Sequence, residues 1–571
     1  MKLQVRDIPP RSVWALEQSG VHPLLARLYA SRGVHDAQQL KTELALLLPP
    51  AGLKGIDAAA QLLADAIAKQ LPMCIVADYD CDGATACALA LRGLTQLGAQ
   101  QVSFLVPDRM VDGYGLTSDI AQRVHASGAK VLITVDNGIA SVTGVEEAKR
   151  LGLQVLITDH HLPGPELPTP DALVNPNQPG CNFESKNMAG VGVMFYVLLA
   201  LRAEMRQRGV FSKDNEPKLD GLLPLVALGT VADVVALDAN NRRLVAQGLQ
   251  RIRKGHLPAG MAALFKVAAR DAKQASSQDM GFAIGPRINA AGRLSDMTLG
   301  IECLRTDDTE LAWRLALQLD TINRERRSME GDMREQALMI AESLMDSEET
   351  APAALCVFDE DFHEGVVGII AGRLKDLHYR PCFVFATSQS QGQAVLKGSG
   401  RSIPGFHLRD ALDAIAKRHP DLLLRFGGHA MAAGCTLLED DLATFELALQ
   451  DIATQWLDAT TLAQTLATDG SLPQQYVRPD LVKHLQAQVW GQGFAAPVFQ
   501  DTVNVMSQKI VGEKHLSMKL QLHGQLVDAI WFGRTQSLPV QATVAYRLDI
   551  NAWQGMEKLQ LQIEAMQPSY N

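Results

Sequence analysis

The stretch "KVLITVDNGIASVTGVEEAKRLGLQVLITDHH", residues 130–161, contains two short apolar runs on either side of an amphipathic segment. Runs such as VLITV, which are rich in β-branched residues, are typical of strands that are buried on both faces. The segment between the runs, VTGVEEAKRLG, predicts a helix. A strand, a helix and a second strand in this order predict a parallel pair with a crossover helix, which is the unit of an open α/β sheet.

The same alternation begins upstream. The runs MCIVAD and QVSFLVPDR predict two more strands, and ATACALALRGLTQLG and SDIAQRVHASG predict the helices that follow them. The sequence therefore predicts an α/β protein whose mostly parallel sheet starts near residue 71 and is covered on both faces. Further along the chain, MFYVLLALRAEM and LLPLVALGTVADVVAL predict helices.

The order of predicted helices and strands along the whole chain predicts five segments. They are a helical segment (1–70), the sheet domain (71–250), a helical connector (251–347), a smaller α/β domain (348–455) and a domain of short strands (456–571). Residues 308–345 are charged and lack proline, which predicts one long helix. Its length fits a connector between the two α/β domains, although the pattern equally allows a long surface helix. Turn residues rather than helices separate the strands after residue 496, which predicts a small C-terminal β-barrel or sandwich.

The composition is that of a globular protein, with 571 residues, 47% of them hydrophobic, and a formal net charge of −10. This charge argues against wholesale coating by nucleic acid, although a local basic groove is compatible with it. The eight cysteines form no CxxC pair, which indicates reduced thiols. Because the chain has neither a signal-like N-terminus nor an apolar run of ~20 residues, we expect a cytoplasmic protein without a membrane span.

Acidic and histidine side chains follow the predicted strands at the point where each strand ends. The carboxyl ends of parallel strands share one edge of an open α/β sheet, and ligands bind outside that edge. A further acid, Asp233, lies in an apolar helical run, where a charge is costly unless it is paired or bound to a metal. The candidate site residues are Asp78, Asp80, Asp82, Asp136, Asp159, His160, His161 and Asp233.

This mixture of carboxylate and imidazole donors suits Mn²⁺ or Mg²⁺ better than a thiolate-rich zinc site would. It offers enough ligands for two divalent cations, which together can activate water and neutralise charge on a phosphoryl group. The stretch DYDCDG also begins like an EF-hand loop, but Leu89 stands where that loop needs a glutamate. Taken alone, the stretch is also compatible with a solvated acidic turn.

The stretches DYDCDG, VDNG, TDHH and GTVADV, in this order, resemble the four motifs of the DHH phosphoesterase superfamily. GPRINAAGRL (285–294), HEGVVGIIAGRL (363–374), KGSGRS (397–402) and FGGHAMAAG (426–434) resemble its RecJ-like branch, the bacterial single-strand-specific 5′→3′ DNA exonucleases. The resemblance spans nearly the whole chain. It implies a DHH domain joined by the long helix to a smaller DHH-associated domain, followed by an OB-fold barrel.

The resemblance also implies metal-binding roles for the candidate residues. Asp80 would bind one cation and Asp82 a second, with Asp136 bridging them. His160 and Asp233 would complete the shell of the second ion. Water activated by the metals would attack the phosphodiester in line, so that no serine or cysteine nucleophile is required.

The remaining candidates have less direct roles in this interpretation. His161 would lie beside the scissile phosphate as a hydrogen-bond donor or acid, which makes it a catalytic residue together with Asp136. Asp78 would bind a cation or orient the other ligands. Asp159 would orient its neighbours or cap the turn.

The later motifs supply candidates for contacts with DNA. Arginine forks match phosphate geometry, but an ion pair with a nearby acid is an equally open interpretation of each arginine. The glycines of FGGHAMAAG allow close approach to an anion, and the small residues after them can begin a helix whose N-terminus favours phosphate. The alternative is a glycine turn with a core histidine. The substrate-binding candidates are Arg109, Arg287, Asn289, Arg293, Ser399, Arg401 and His429.

Aromatic residues of the C-terminal region are candidate platforms for stacking DNA bases. Because aromatic residues make up only 5% of the chain, we expect most of these side chains to belong to the core instead. The candidates are Trp490, Phe494, Trp531, Phe532, Tyr546 and Trp553.

Residues and resemblance together predict a metal-dependent exonuclease that degrades single-stranded DNA 5′→3′ to mononucleotides, in DNA repair and recombination. The alternative is a DHH phosphoesterase acting on oligoribonucleotides or cyclic dinucleotides, although such relatives are usually smaller. A scaffold protein that has lost its metal ligands is disfavoured, because the acids and the histidine are all present. The implied partners are single-stranded DNA and, from the family, a single-strand-binding protein, and we expect a monomer.

Overall fold

The computed structural model describes residues 1–108, 112–346, 351–390, 393–458, 460–553 and 556–568. The chain folds into two compact units. The large unit comprises Val5–Asn323 and Thr468–Glu564, and the small unit comprises Met1–Gln4, Arg324–Ala467 and Ala565–Asn571.

The α-helices are numbered in chain order. They are α1 Pro10–Gln18, α2 Pro23–Ala30, α3 Ile56–Ala68, α4 Cys81–Gln96, α5 Ser118–Ala126, α6 Val142–Arg150, α7 Gly190–Gln207, α8 Leu223–Ala232, α9 Ala239–Arg253, α10 Ala259–Val267, α11 Ser277–Asp279, α12 Gly285–Leu294, α13 Thr298–Arg305, α14 Thr309–Asp346, α15 Val367–His378, α16 Leu408–Arg418, α17 Leu442–Trp456 and α18 Pro479–Gln486. A π-helical turn, Met280–Ile284, joins α11 to α12. Short 3₁₀ turns lie at Ala37–Leu40, Leu44–Leu46, Pro50–Gly52, Leu219–Leu222, Ala272–Gln274, Glu439–Asp441 and Gln474–Tyr476.

The strands are numbered in the same way. They are β1 Lys2–Val5, β2 Met73–Ala77, β3 Val102–Leu105, β4 Val131–Val135, β5 Gln154–Thr158, β6 Ala172–Val174, β7 Leu355–Phe358, β8 Cys382–Ser390, β9 Gln393–Arg401, β10 Arg425–Gly428, β11 Ala432–Leu437, β12 Thr465–Thr468, β13 Phe499–Val511, β14 His515–Leu522, β15 Gln525–Trp531, β16 Gln541–Trp553 and β17 Met556–Pro568.

The sheet of the large unit confirms the predicted parallel architecture. Its strands lie in the order β3-β2-β4-β5-β6, and neighbouring strands are parallel. Every residue of β2 and β4 is buried, because α5 and α6 pack on one face and α4 and α7 also contact the sheet. The register pairs Ala77 with Val135 and Val135 with Thr158, so the residues that follow these three strands emerge side by side.

The helix predicted over LLPLVALGTVADVVAL is shorter than the sequence indicates. Helix α8 ends at Ala232, and Asp233 is its C-cap residue rather than an interior one. Val234 has a left-handed φ of 63°, which a β-branched residue rarely adopts and which stops the helix. The predicted helix was therefore too long, because a tertiary hydrogen bond fixes the residues after Ala232 in a non-helical conformation. Leu237 N donates to Gln492 O at 2.8 Å.

The C-terminal strands close into a barrel in the order β13-β14-β15-β17-β16, which confirms the predicted barrel. Closure leaves no free strand edge. Of the aromatic candidates, Trp490, Phe494 and Tyr546 are buried, as expected for core residues. Phe532 is 55% exposed and Trp531 is half-buried, so these two remain available for stacking. The side chain of Trp553 lies outside the described residues.

The small unit contains the second α/β domain that the sequence predicts. Its sheet has the order β10-β11-β9-β8-β7, in which β7 and β8 are parallel and the other pairs are antiparallel. Its core includes an aromatic cluster, in which the ring of Phe445 meets Phe383 and Phe385 edge-on at 5.2 and 5.3 Å. The predicted linking helix is confirmed as α14, along which the chain passes from the large unit to the small one.

The stretch FGGHAMAAG does not begin a helix but forms the glycine turn of the alternative interpretation, with His429 exposed rather than in the core. Strands β10 and β11 form an antiparallel hairpin here, with Gly428 opposite Ala433. Burial alternates along β11, so its small residues pack on the sheet at the two-residue period of a strand. Gly428 has a φ of 136°, and a Cβ there would lie 2.4 Å from Ala433 Cα, so the tight turn requires glycine.

All eight cysteines are buried and free, as expected for reduced thiols. Within the described ranges, we find no helix with the length and apolar character needed to cross a membrane.

A buried ion pair ties α2 to the segment that enters the barrel. The Arg32 guanidinium donates to both carboxylate oxygens of Asp469, at 2.8 and 3.0 Å, and to Ala495 O at 2.6 Å. Both charged side chains are almost fully buried, with 2% and 3% exposed. The guanidinium also lies 5.2 Å from the ring centroid of Trp490. Each charge therefore depends on the other for compensation.

We expect Asp469→Ala to lower the free energy of unfolding of the large unit by about 3–5 kcal/mol, because it leaves Arg32 buried without a counter-charge. The measurement is urea denaturation followed by circular dichroism. The control is Asp528→Ala, which breaks an exposed pair with Lys519 on the barrel and should cost below about 1 kcal/mol. Equal effects of the two substitutions would contradict this account of the buried pair.

Candidate metal centre

The loop after β2 places three carboxylates around the start of α4. Asp80 is the N-cap residue, and its carboxylate accepts a hydrogen bond from Gly83 N at 3.0 Å, as short polar side chains do at helix starts. Asp78 Oδ1 accepts from Tyr79 N at 2.7 Å. Asp82 lies in the first turn of α4 and is fully buried. The helix start thus fixes the spacing of the three acids.

Helix α12, which carries the GPRINAAGRL motif, holds this loop from outside. Asn289 Oδ1 accepts a hydrogen bond from Cys81 N at 2.7 Å. A Cβ at Gly292 would lie 1.8 Å from Tyr79 O, so the helix can approach the loop only with glycine at this position. The sequence proposed Asn289 as a DNA contact, whereas the bond it makes in the structure positions the metal-binding loop.

The end of β4 presents Asp136 in an unusual backbone conformation. Its φ is 63°, a left-handed value that is costly for residues other than glycine and that clusters at functional sites. The side-chain amide of Asn137 donates to Val76 O at 3.0 Å and to Val135 O at 2.9 Å. It thereby fastens the ends of β2 and β4 together and holds the strained turn.

Asp159, at the end of β5, organises the two histidines. Its carboxylate accepts hydrogen bonds from His160 N at 2.7 Å and from His161 N at 3.1 Å. The same oxygen lies 2.8 Å from His161 Nδ1, and the other oxygen accepts from Ile139 N at 2.8 Å. Asp159 is therefore fully engaged in orienting its neighbours, as the sequence indicated.

His160 lies at the centre of the cluster. Its Nε2 atom is 3.1 Å from Asp136 Oδ1, 3.5 Å from Asp233 Oδ2 and 3.9 Å from Asp82 Oδ2. The structure brings together all six residues that the sequence proposed as metal ligands, with His161 beside them. In each of three groups of residues, the donor atoms lie within 4.8 Å of one another. The groups are Asp82, His160 and Asp233; Asp78, Asp80 and Asp136; and Asp136, His160 and His161.

The start of α7 completes one wall of the cluster. Main-chain N–H groups of Gly190 and Val191 donate to the two oxygens of Asp82, at 2.5 and 3.0 Å, where the helix N-terminus favours a negative charge. A Cβ at Gly190 would lie 2.5 Å from Asp136 Oδ1. Glycine is therefore the residue that lets α7 approach both carboxylates.

Burial and mutual repulsion govern the charge of the cluster. Burial, followed by the charge of Asp80, raises the pKa of Asp78 to about 8 and that of Asp233 to about 7. Burial and the neighbouring acids raise the pKa of Asp82 and of Asp136 well above their ordinary values. Carboxylates in such a group can be ionised together only beside compensating positive charge.

His161 differs from the acids. Burial lowers the pKa of its imidazole, but the hydrogen bond and charge of Asp159 outweigh burial and raise the pKa to about 9. In turn, burial would raise the pKa of Asp159, and the bond from His161 lowers it below its ordinary value. The two side chains thus stabilise each other as an ion pair.

A divalent cation fits the donors present. Asp136 Oδ1 and Asp233 Oδ2 are buried and accept no hydrogen bond from the described part of the chain, which is costly for a polar atom. A cation would supply the missing partner for both atoms and the positive charge that the carboxylates require. Oxygen donors with one imidazole are the ligands of Mn²⁺ and Mg²⁺ rather than of a structural zinc site.

Tyr114 is a residue of this site that the sequence reasoning missed. Its hydroxyl lies 3.4 Å from both ring nitrogens of His161 and 3.4 Å from the carbonyl oxygen of Asp136. Its ring meets Tyr79 and His161 edge-on. The residue stands between two glycines in the loop after β3, another strand of the same sheet, and this loop position is a weaker signal than a place directly at a strand end.

The candidate arginines of α12 occupy different environments. Arg287 is buried, and its guanidinium binds Asp320 at 2.9 Å and Ala283 O at 2.6 Å. This is the ion pair that the sequence left open as the alternative to a DNA contact. Arg293 is half-buried in the last turn of the helix.

The other substrate-binding candidates lie in the small unit. Arg401 Nη1 donates to Ser399 Oγ at 3.1 Å, so β9 presents these two side chains together. A Cβ at Gly368, in the first turn of α15, would lie 2.9 Å from both Arg401 Nη2 and Ser399 Oγ. His429 is exposed between β10 and β11. Arg109 lies outside the described residues.

The sheet, its ligand set and the accessory domains define the class of protein. Over residues 72–230 the chain matches the model of the DHH family, N-terminal domain. Residues 351–456 match the DHHA1 domain, and residues 468–565 match the RecJ OB domain.

Individual relatives narrow the class. The chain is 45% identical to the single-stranded-DNA-specific exonuclease RecJ of Dickeya dadantii, over 95% of this chain and 96% of the relative. Crystal structures of RecJ from Thermus thermophilus are similar over 100% of this chain. The Mn²⁺ complex has a TM-score of 0.82 at 29% identity and is covered over 80% of its length. The Mg²⁺ complex has a TM-score of 0.76 at 27% identity, covered over 79%. The chain belongs to the RecJ family of single-stranded-DNA-specific exonucleases, as its motifs predicted.

We expect Gly190→Ala to weaken Mn²⁺ binding by about 10–100-fold, the range seen when residues that orient ligands are changed. The added Cβ displaces the Asp136 carboxylate while every ligand stays in the chain. The measurement is isothermal titration calorimetry with Mn²⁺.

The matched control is Gly192→Ala, in the same turn of α7, where the nearest atom to a new Cβ is 3.8 Å away. This variant should bind Mn²⁺ as the unaltered chain does. Equal affinities of the two alanine variants would show that the approach of α7 does not position Asp136.

Proposed function

We propose that this chain is a metal-dependent exonuclease that hydrolyses single-stranded DNA from the 5′ end and releases mononucleotides. The observation that carries the proposal is the convergence of five carboxylates and two histidines at one edge of the sheet, in a chain that is 45% identical to a single-stranded-DNA-specific exonuclease.

Two divalent cations would share this site. The donors form two groups with Asp136 in common, and each group offers three or four ligand side chains. The groups are Asp78, Asp80 and Asp136, and Asp82, Asp136, His160 and Asp233. When bound, the pair of cations lowers the pKa of water and neutralises charge on the phosphate that is attacked.

His161 would act on the phosphate itself. Asp159 holds Nδ1 at 2.8 Å, so Nε2 is the ring nitrogen left to donate a hydrogen bond to a phosphate oxygen or to protonate the leaving oxygen. Tyr114, with its hydroxyl 3.4 Å from the ring, would keep the imidazole in place. A donor atom of His161 also lies within 4.8 Å of donor atoms of Asp136 and His160. The experiment below therefore separates a role on the phosphate from a role in metal binding.

The small unit would recognise the 5′ end. The Ser399 hydroxyl and the Arg401 guanidinium lie beside the first turn of α15. Main-chain N–H groups at a helix start, together with an arginine fork, suit a terminal phosphate. Selection of the 5′-phosphate by this group would set the direction of digestion.

The barrel would add a second surface for DNA. Trp531 and Phe532 remain accessible at the end of β15, and stacking of bases on aromatic rings tolerates any sequence. We assign the catalytic domain to residues 71–250, the substrate-binding domain to 348–455 and the barrel to 456–571. We further propose a monomeric, cytoplasmic protein that acts in DNA repair and recombination together with a single-strand-binding protein, as the motif resemblance and the sequence led us to expect.

We expect Asp136→Ala to abolish Mn²⁺-dependent hydrolysis, because it removes the ligand common to both groups. His161→Ala should leave Mn²⁺ affinity nearly unchanged and lower kcat by about 10²–10⁴-fold, the usual contribution of an acid–base group. Calorimetry measures binding, and release of acid-soluble nucleotide measures turnover. Hydrolysis by Asp136→Ala would refute the bridging role, and loss of metal by His161→Ala would make His161 a ligand.

Digestion of single strands labelled at either end tests substrate and direction together. We expect label at the 5′ end to be released first as a mononucleotide, faster with a 5′-phosphate than with a hydroxyl, and only with Mn²⁺ or Mg²⁺ present. A blunt duplex and a cyclic dinucleotide are the comparison substrates. Release from the 3′ end first, or faster cleavage of the cyclic dinucleotide, would contradict the proposal.

A further inference from the structure

A second concave region of the large unit has no part in the metal centre. It is a cavity of about 380 Å³, formed by the segment 39–42, helix α9, and the segment that leads into the barrel. Its lining contains none of the metal-site donors. The volume falls in the range of about 300–1,000 Å³ that is typical of small-molecule sites.

The charge of this cavity is positive. Its lining includes Lys41, Arg242, Arg243 and Arg253, and it includes no aspartate or glutamate. We call it the basic cavity. A concave surface lined by one sign of charge attracts small ions of the opposite sign.

Main-chain carbonyls, rather than carboxylates, hold the arginine side chains in place. Arg242 donates to Leu237 O at 2.8 Å and to Gln39 O at 3.2 Å. Arg243 donates to Lys41 O at 3.2 Å. Such bonds orient a guanidinium without cancelling its charge, so the cationic groups are preorganised for an anion.

The acids nearest to these arginines are already engaged. Burial lowers the pKa of Arg242, the direction expected where counter-charge is incomplete, and the negative charge of Asp238 raises it. The Asp238 carboxylate, however, also accepts hydrogen bonds from Asn241 N at 2.9 Å and from Ser185 Oγ at 2.7 Å.

Arg253 is in a similar position. Burial lowers the pKa of Arg253, and the charge of Asp279 raises it. The Asp279 carboxylate also accepts hydrogen bonds from Ser276 in the capping box of α11. Arg253 itself donates to Ala275 O at 2.8 Å. The positive charge of the basic cavity is therefore incompletely compensated on this side as well.

Aromatic, amide-bearing and aliphatic side chains form most of the rest of the lining. The Arg242 guanidinium stacks over Phe494, 4.3 Å from the ring centroid. Gln39, Gln250 and Gln488 also line the cavity. The Gln488 amide bonds to Tyr29 and His484 and the Gln39 oxygen accepts from His35 N, so the Gln250 amide and the Gln39 NH₂ group would face a base. Side-chain amides match the hydrogen-bonding edges of nucleobases, and guanidinium planes stack on bases. The cavity thus combines groups for a phosphate with groups for a base.

We propose that the basic cavity binds a free nucleotide 5′-monophosphate, with the phosphate on the arginine side chains and the base against the glutamine amides. Inorganic phosphate would satisfy the charge but leave most of the 380 Å³ unfilled. A nucleotide would bind both the cationic side chains and the side-chain amides of the lining.

Calorimetry on the full chain tests the proposal. Deoxynucleoside 5′-monophosphates are titrated in the presence of EDTA, so that the clustered carboxylates of the metal centre repel the phosphate. We expect one binding site. Inorganic phosphate should compete at least about 10-fold more weakly, since it forgoes the hydrogen bonds to the base. A saturating single-stranded oligonucleotide should leave the nucleotide bound.

Two variants locate the site. Arg243→Gln removes one cation, and Ala246→Leu fills the cavity without changing its charge. Arg243→Gln should weaken nucleotide binding by at least about 10-fold, the loss expected for one charge-assisted hydrogen bond. Ala246→Leu should weaken it by at least about as much, because the leucine side chain occupies the volume that the nucleotide needs. The control Arg251→Gln removes the same charge from the same helix, but Arg251 pairs with Asp220 and does not line the cavity, so it should bind normally.

Four results would overturn the proposal: no binding at millimolar nucleotide, binding unchanged in both variants, equal competition by inorganic phosphate, or displacement by the oligonucleotide. The first two would exclude the site. The third would make it a simple anion site, and the fourth would make it part of the path of the DNA strand.

Discussion

Buried carboxylates that repel one another crowd the carboxyl edge of the parallel sheet, and the elements around this edge hold them together. The register of the parallel sheet sets Ala77, Val135 and Thr158 side by side, so the acids that follow must emerge at one edge. Burial and proximity raise the pKa of Asp82 and of Asp136 well above the ordinary value. Positive charge at this edge is therefore required for the acids to be ionised together, and divalent cations supply it.

The surrounding elements hold the acids in place against this repulsion. Main-chain N–H groups at the start of α7 fix Asp82, and the Asn137 amide locks the turn that carries Asp136. Left-handed backbone occurs at Asp136 and at Val234, next to another ligand. Strain of this kind persists only where neighbouring contacts over-determine it, and here it is concentrated on two sides of the metal centre.

The sequence predicted the sheet, and the candidate ligands lie together as expected, because both features depend on local patterns. Apolar runs that end in acids identify strand ends, and strand ends of a parallel sheet converge whatever the connecting loops do. The sequence left alternatives open where tertiary contacts decide. FGGHAMAAG is a hairpin whose second strand pairs with β9, and Arg287 has an ion pair with Asp320, 33 residues away. Tyr114 was missed because it lies nine residues beyond the end of β3.

Anomalous diffraction from crystals of the full chain grown with Mn²⁺ would show whether Asp136 bridges two cations, as we propose. We expect two anomalous peaks about 3.5–4 Å apart, the usual spacing of two-metal sites, with the Asp136 carboxylate between them. A single peak, or two peaks that Asp136 does not touch, would contradict it.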